Sequence, residues 1–464
     1  MKLQDTLTNS EKELDISDIV RIYLCGVTVY DESHIGHART IIIFDVLRRY
    51  LESKGINVNF IQNFTDVDDK IINRAKLENS TAEQISSKYI QHYFVDFDRL
   101  HVKRATNYPK ATEHIEDIQK FIRNLIEKEI AYVSKNGVYF SVSKFPQYGK
   151  LSKKKIDELQ TGARIEVDEA KKDPLDFALW KFSDVVPLWD SPWGKGRPGW
   201  HIECSAMSLK YLGENFDIHG GGRDLIFPHH ENEIAQSESF TTKQFAKIWM
   251  HVGMVTINGE KMSKSLGNVK TIQHVLDNWG ANIIRLFCLS GHYSKPIDYS
   301  EELLTENLTK WRQAETCYYE LVHADDEKHD NEIESTIKKI SDEFDDALES
   351  DFNTHLALLA FFKLIKEVNY LAAEEKLGLN DAKYTLPEFE RMLEILQLSI
   401  PKITEVEKNE IDILILERVQ LRKEKKFQEA DKIRKKLDEI NIELIDHRKK
   451  TIWIRKEKIK GEPR

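Results

Sequence analysis

"FPHHENEIAQ", Phe227 to Gln236, sets two histidines and two glutamates close together. Pro228 suits the first turn of a helix, and His229 and Glu233 are then four residues apart on one face, able to point at one ion, while His230 faces elsewhere. An ordinary first turn whose acidic residues answer the helix dipole reads the same way. Two cysteines bear on the choice. Cys25 ends the first apolar strand, and Cys204, in "PGWHIECSAMS", precedes the second half of the sheet, so both are expected at one strand-end crevice. Two thiolates, one imidazole and one carboxylate make a tetrahedral zinc shell, although ligands so far apart match no short zinc spacing. Cys288 and Cys317 fall on helical segments and read as small buried hydrophobes.

Two further stretches suit a phosphorylated ligand. "HIGH", His34 to His37, lies between a strand and a helix, where a helix N-terminus offers N–H groups and partial positive charge to a phosphate. Gly36 lets a base or ribose approach the backbone. "EKMSKSLGN" places Lys261 and Lys264 in a loop able to fold over an anion. Each has a bland alternative, a loop with two surface histidines in one case and a solvated basic loop in the other.

The elements that must hold these residues follow from periodicity. "RIYLCGVTVYDESHIGHARTIIIFDVLRRYLESKG" reads as strand, loop and amphipathic helix beginning near His34, and the strand "INVNFIQNFTD" follows. That order opens a parallel, doubly wound sheet, whose ligands sit at the carboxyl ends of the strands. The expected organisation is a first half of the nucleotide-binding sheet domain at 1–110, a connective insertion at 111–195 and the second half at 196–255. A region carrying the lysine loop follows at 256–305, then a helical bundle at 306–405 and a small C-terminal domain at 406–464. The chain has 464 residues, 41 % of them apolar, enough for several hydrophobic cores. Four scattered cysteines argue against a disulfide framework. The N-terminus lacks a signal pattern and no apolar run approaches a membrane span, so a cytoplasmic protein without membrane attachment is expected, with a monomer as the default state. The net charge is −10, yet basic residues outnumber acidic ones beyond Arg418, giving an acidic body a basic tail.

Taken together and in this order, "HIGH" and "KMSKS" on a split sheet resemble the ATP-binding motifs of class I aminoacyl-tRNA synthetases, and with them a Rossmann-type catalytic domain. "YLCGVTVYDESHIGHAR", "FTDVDDKII", "PGWHIECSAMS", "DIHGGGRDLIFPHHENEIAQSE" and "GEKMSKSLGN" are similar to the cysteinyl-tRNA synthetase family over essentially the whole chain. The resemblance implies that Cys25, Cys204, His229 and Glu233 bind zinc and that Thr65, Trp200 and His219 line the amino-acid pocket. It implies L-cysteine, ATP with Mg²⁺, and tRNA(Cys) as partners, and it makes 256–305 a stem-contact region and 406–464 an anticodon-binding domain. The cysteine carboxylate would attack the α-phosphorus of ATP, with His34, Gly36 and His37 at the phosphates and Lys261 and Lys264 over the leaving pyrophosphate. Zinc would distinguish a thiolate from the hydroxyl of serine, a near-isostere that shape alone rejects poorly. In the tail, Trp453, flanked by cations in "KKTIWIRK", and Arg455 are expected to contact tRNA, the indole exposed and stacked on an anticodon base, the alternative being that Trp453 merely anchors the terminal segment on the helix before it. The family tends to have glycine where this chain has Asn441, an acceptable left-handed helix cap.

Two rivals remain. A relative that ligates cysteine to an amino sugar would share the zinc and ATP motifs, but the long basic C-terminal region argues against it. A non-catalytic RNA-binding or metal-sensing descendant of a synthetase would not need intact "HIGH" and "KMSKS".

Overall fold

A computed structural model describes residues 1–16, 19–154, 170–262, 267–325, 332–401, 403–448 and 450–462. Lys264 lies outside the described residues. Their contacts divide the chain into two units. One comprises Met1–Ile272, Tyr293–Asp298 and Ser350–Phe352, and the other Gln273–His292, Tyr299–Glu349 and Asn353–Arg464.

In the first unit, four parallel strands are joined by helices in the expected way. Strand β1 (Ile19–Thr28) leads through helix α1 (Ile35–Ser53) to β2 (Asn57–Thr65). After the insertion, α2 (Trp200–Leu212), β3 (Phe216–Gly222), α3 (Glu231–Thr241) and β4 (Ala246–Val252) complete the set. The sheet order is β4-β3-β1-β2. Strand β1 therefore has β2 on one side and β3 on the other, which makes its carboxyl end the switch point where a crevice opens.

The register of β1 against β2 shifts between Leu24 and Val27. At this irregularity Gly26 donates its N–H to Asn63 Oδ1 at 2.9 Å, and a Cβ on Gly26 would lie 1.6 Å from the Asn63 carbonyl oxygen. Only glycine fits, and a shift of this kind re-aims the neighbouring side chain, here that of Cys25. Helix α1 is buried from Ile41 through Leu47, so its apolar run is a core helix rather than a surface one.

The insertion supplies a helix at Ile115–Glu127 and a hairpin, Ala131–Ser134 with Gly137–Phe140. Phe177–Phe182 and Gly196–Pro198 extend that hairpin into a four-stranded antiparallel sheet. The lysine-rich stretch between falls largely outside the described residues.

In the second unit, helices at Glu301–Val322, Ile333–Glu349, Thr354–Ala373 and Leu379–Leu396 form the bundle. Cys288 and Cys317 are fully buried on helices. The helical part of the C-terminal segment is not continuous. It consists of Glu405–Lys423 and Phe427–Glu439, broken where Lys425 takes a φ of +60°. Asn441 (φ +61°) ends the second helix in the left-handed conformation its side chain tolerates. A hairpin of Ile442–Asp446 and Thr451–Arg455 closes the unit.

Candidate metal centre and nucleotide motifs

Four segments deliver donors to one buried point. Cys25 comes from the end of β1, Cys204 from α2, His229 from the turn before α3 and Glu233 from α3 itself; none is more than 8 % exposed. Cys25 Sγ lies 3.7 Å from Cys204 Sγ and 3.3 Å from Glu233 Oε1, and His229 Nε2 lies 3.0 Å from that same oxygen. Two thiols and a carboxylate facing one another in a dry site repel as they ionise, and a cation relieves that repulsion. The donor chemistry therefore fits a metal ion.

The electrostatics agree. Burial, then Cys204 and Glu233, push the Cys25 thiol well above its usual range. A hydrogen bond from Cys25 outweighs burial at Cys204 and brings that thiol down to about 6. Burial disfavours charge on both His229 and Glu233, yet each partner prevails on the other. His229 rises to about 10 beside Glu233 and Cys204, and Glu233 is held well below the carboxylate range by His219 and His229.

The turn Ile226–His230 is a wide π-type turn with Phe227 extended, and the helix proper begins at Glu231, later than Pro228 suggests. This widening alters the expectation for His230. Its ring is buried, its Nε2 is 3.9 Å from Glu233 Oε1, and it belongs with Cys25, His229 and Glu233 to a group of donor atoms all within 4.8 Å of one another. Its Nδ1 is engaged with His251 Nε2 at 2.7 Å. A Cβ on Gly221 would meet the His230 ring at 2.7 Å, which explains one glycine of "HGGG".

Around the donors stands a layer that holds them. His201 Nδ1 is 2.9 Å from His229 Nδ1, so His229 can donate there and keep Nε2 for the centre. The Trp200 ring stacks on His229, with centroids 4.2 Å apart. His219 is fully buried, spends Nε2 on Glu233 Oε2 at 2.9 Å and stacks on Trp249. Thr65, 2 % exposed, ends β2 and accepts the Val29 N–H through its carbonyl.

The two phosphate-suited motifs meet. His34 caps α1, its Nδ1 accepting from Gly36 N–H at 3.2 Å, while its own N–H donates to His37 Nδ1 at 3.3 Å. The two rings stack with centroids 3.7 Å apart. Ile35 N–H donates to the Lys270 carbonyl and Ile272 N–H to the Ser33 carbonyl, which zips "HIGH" to the segment after the lysine loop. A Cβ on Gly36 would lie 3.4 Å from Met262 Cε, so the Met262 side chain reaches Gly36. Lys261 is exposed, with Nζ 3.9 Å from Asp224 Oδ2.

Residues 12–309 match the family described as "tRNA synthetases class I (C) catalytic domain", and residues 343–397 match a DALR domain. The cysteine–tRNA ligase of Thermodesulfovibrio yellowstonii is 50 % identical over 98 % of this chain and 99 % of its own. That of Caldicellulosiruptor saccharolyticus is 47 % identical over 96 % of this chain and 98 % of its own. The chain belongs to the cysteine–tRNA ligase family. Among solved structures, a Mycobacterium tuberculosis methionyl-tRNA synthetase in complex with methionyl-adenylate superposes with a TM-score of 0.62 at 14 % identity, covering 82 % of this chain and 90 % of that one. It shares the fold.

Within this cysteine–tRNA ligase family member, the tail departs from expectation at Trp453. The indole is 4 % exposed, donates its N–H to Asp412 Oδ1 at 3.0 Å and lies against Tyr319 and His323. It is not presented for stacking on a base. The reason is that the terminal hairpin is covered on both faces, with Ile452 and Ile454 buried beside it, so alternation along the strand leaves no exposed side there. Arg455 is half-buried and pairs with Glu407 at 3.0 Å.

His201, His230, His251 and Asn63 were not legible as site residues. The available signal for His201 was its place one residue after Trp200 and three before Cys204, one helical turn away on the same face. His251 comes from β4 and had none.

Proposed function

We propose that the chain activates L-cysteine with ATP and transfers the cysteinyl group to tRNA(Cys), and that Cys25, Cys204, His229 and Glu233 hold a zinc ion which selects the amino acid by its sulfur. The observation that carries this is the convergence of two thiols, an imidazole and a carboxylate, all buried, at the switch point of a parallel sheet beside the capped "HIGH" helix. Thiolate-rich donor sets favour zinc over hard cations. Cys204 is preferred to His230 as the fourth ligand because its Sγ lies 3.7 Å from Cys25 Sγ and a second thiolate suits zinc, while His230, its Nδ1 on His251 and its Nε2 buried without a partner, is the alternative donor. Zinc held there supplies a coordination position that binds a thiolate strongly and a neutral hydroxyl weakly.

The chain's own residues do the rest. His219 and His201 orient Glu233 and His229, Trp200 covers the imidazole, and Thr65 stands at the neighbouring strand end. His34, Gly36 and His37 present the positive end of α1 to the ATP phosphates, which arrive with Mg²⁺. Lys261 and Lys264 neutralise the departing pyrophosphate. The amino-acid carboxylate is already ionised and attacks phosphorus directly, so catalysis is positioning and charge neutralisation.

ATP–pyrophosphate exchange tests the reading. Cysteine should support it and serine almost not at all; comparable rates would mean that the thiol is not what is read. Elemental analysis should find one zinc per chain, lost or strongly reduced in Cys204→Ser. Purified wild-type protein without zinc would remove the metal from the proposal.

A further inference from the structure

Lys181 and Arg197 are directly opposite each other on adjacent antiparallel strands of the insertion. Like charges in that register repel unless an anion lies between them. The anion here is intramolecular. Asp69 Oδ2 is 3.1 Å from Lys181 Nζ, and Asp69 Oδ1 accepts a hydrogen bond from Arg197 Nη2. Asp69 is the first residue of the helix Asp69–Leu77, four residues beyond Thr65 at the end of β2. Arg197 lies three residues before Trp200, whose ring covers His229. The ion triad therefore joins the two chain segments that lead into the amino-acid site.

Arg197 is not saturated by Asp69. Its side chain is only 11 % exposed, yet Nη1 is buried without a hydrogen-bond partner. A guanidinium with one nitrogen paired and another idle, next to an ammonium, is an arrangement that a phosphodiester fills better than one carboxylate, because the phosphate offers several acceptor oxygens. Asp69 itself is about half-exposed and can swing away.

We propose that Lys181 and Arg197 form a binding site for a backbone phosphate at the single-stranded 3′ end of the tRNA, and that Asp69 is a latch occupying this site until the phosphate displaces it. The inference rests on the function proposed above, in which an RNA end brings its ribose hydroxyl to an activated amino acid at the site these segments lead into. Arg197 and Lys181 are positioning residues for the second half-reaction and have no part in the first.

The test uses the full-length chain, a tRNA(Cys) transcript, and both pyrophosphate exchange and aminoacylation. Arg197→Gln should raise KM for tRNA about tenfold, as removal of one charge-assisted hydrogen bond to a phosphate does. Exchange should stay within twofold. Lys181→Gln, an exposed and structurally mild change, should act in the same direction. The plot of log KM against log salt should become shallower by roughly 0.7 for the one phosphate no longer neutralised. Asp69→Asn should do the reverse and lower KM for tRNA two- to fivefold, because it removes the competing anion. A purely structural ion triad makes the opposite forecast, with all three variants impaired alike. Asp69→Asn raising KM as much as Arg197→Gln, or Lys181→Gln leaving KM and its salt dependence unchanged, overturns the inference. If the wild-type chain fails to aminoacylate the transcript at all, the underlying functional proposal fails instead.

Discussion

Trp453 is held by Asp412 at its N–H and by the rings of Tyr319 and His323. Removing a buried indole of this kind costs about 3–5 kcal/mol. Trp453→Ala is accordingly expected to destabilise the second unit by that amount in urea unfolding, while cysteine-dependent pyrophosphate exchange persists at temperatures where the variant remains folded. A change of less than about 1 kcal/mol would mean that the indole does not anchor the hairpin. The residue shows where reading by sequence stops: the cations around it suggested solvent, but exposure is decided by what covers a strand's two faces. The same limit applies at the metal centre. The chemical types of Cys25, Cys204, His229 and Glu233 were legible, and the i, i+4 relation of the last two is local geometry. The convergence of all four, and the supporting contacts from His201 and His251, depend on strand order that no spacing encodes. Resemblance to a family, rather than spacing, bridged that gap.

Helix α3 works on two sides. Glu233 faces the donor cluster, while Glu231, also fully buried, accepts backbone N–H groups from Gly149, Leu151 and Ser152 of the insertion. Next to it, Tyr148 donates its hydroxyl to Asn232 Oδ1. The element that carries one of the donors and follows directly on another thus also pins the insertion. In Glu231→Ala the amides of Gly149, Leu151 and Ser152 are deprived of a charged acceptor, and their hydrogen exchange should accelerate at least about tenfold, roughly 1.4 kcal/mol in opening free energy. Unchanged protection would locate the pin elsewhere. Elements of this kind were the most legible level. Periodicity marked β1, α1 and β2. The break between the helices Glu405–Lys423 and Phe427–Glu439 carries no local signal, because "KEKKF" lacks glycine and proline and the break falls on Lys425 in a conformation that lysine rarely adopts.

At the scale of the molecule, the donors all lie in the first unit and the helical bundle in the second. A chelator such as 1,10-phenanthroline is expected to lower the unfolding temperature of the first unit and spare the second. Calorimetry resolves this as one transition moving while the other stays. Two transitions shifting together would tie the metal to the whole chain. The class of architecture was readable from the alternation of strands and helices followed by helices alone; the grouping of distant segments such as Ser350–Phe352 with the first unit was not, because three residues carry no periodicity. The wide separation of the donors has a consequence for how the protein is made. Cys25 and Glu233 are 208 residues apart and Cys25 and Cys204 are 179 apart. One ion shared among them, as proposed, would close loops of those lengths, and in chain-entropy terms a cross-link over such a span removes on the order of 5 kcal/mol from the unfolded state. The centre proposed to read the amino acid would then also be a staple fastened late. During synthesis the first strand leaves the ribosome with half of a clasp, and a nascent chain ending before Cys204 has nothing to close it with.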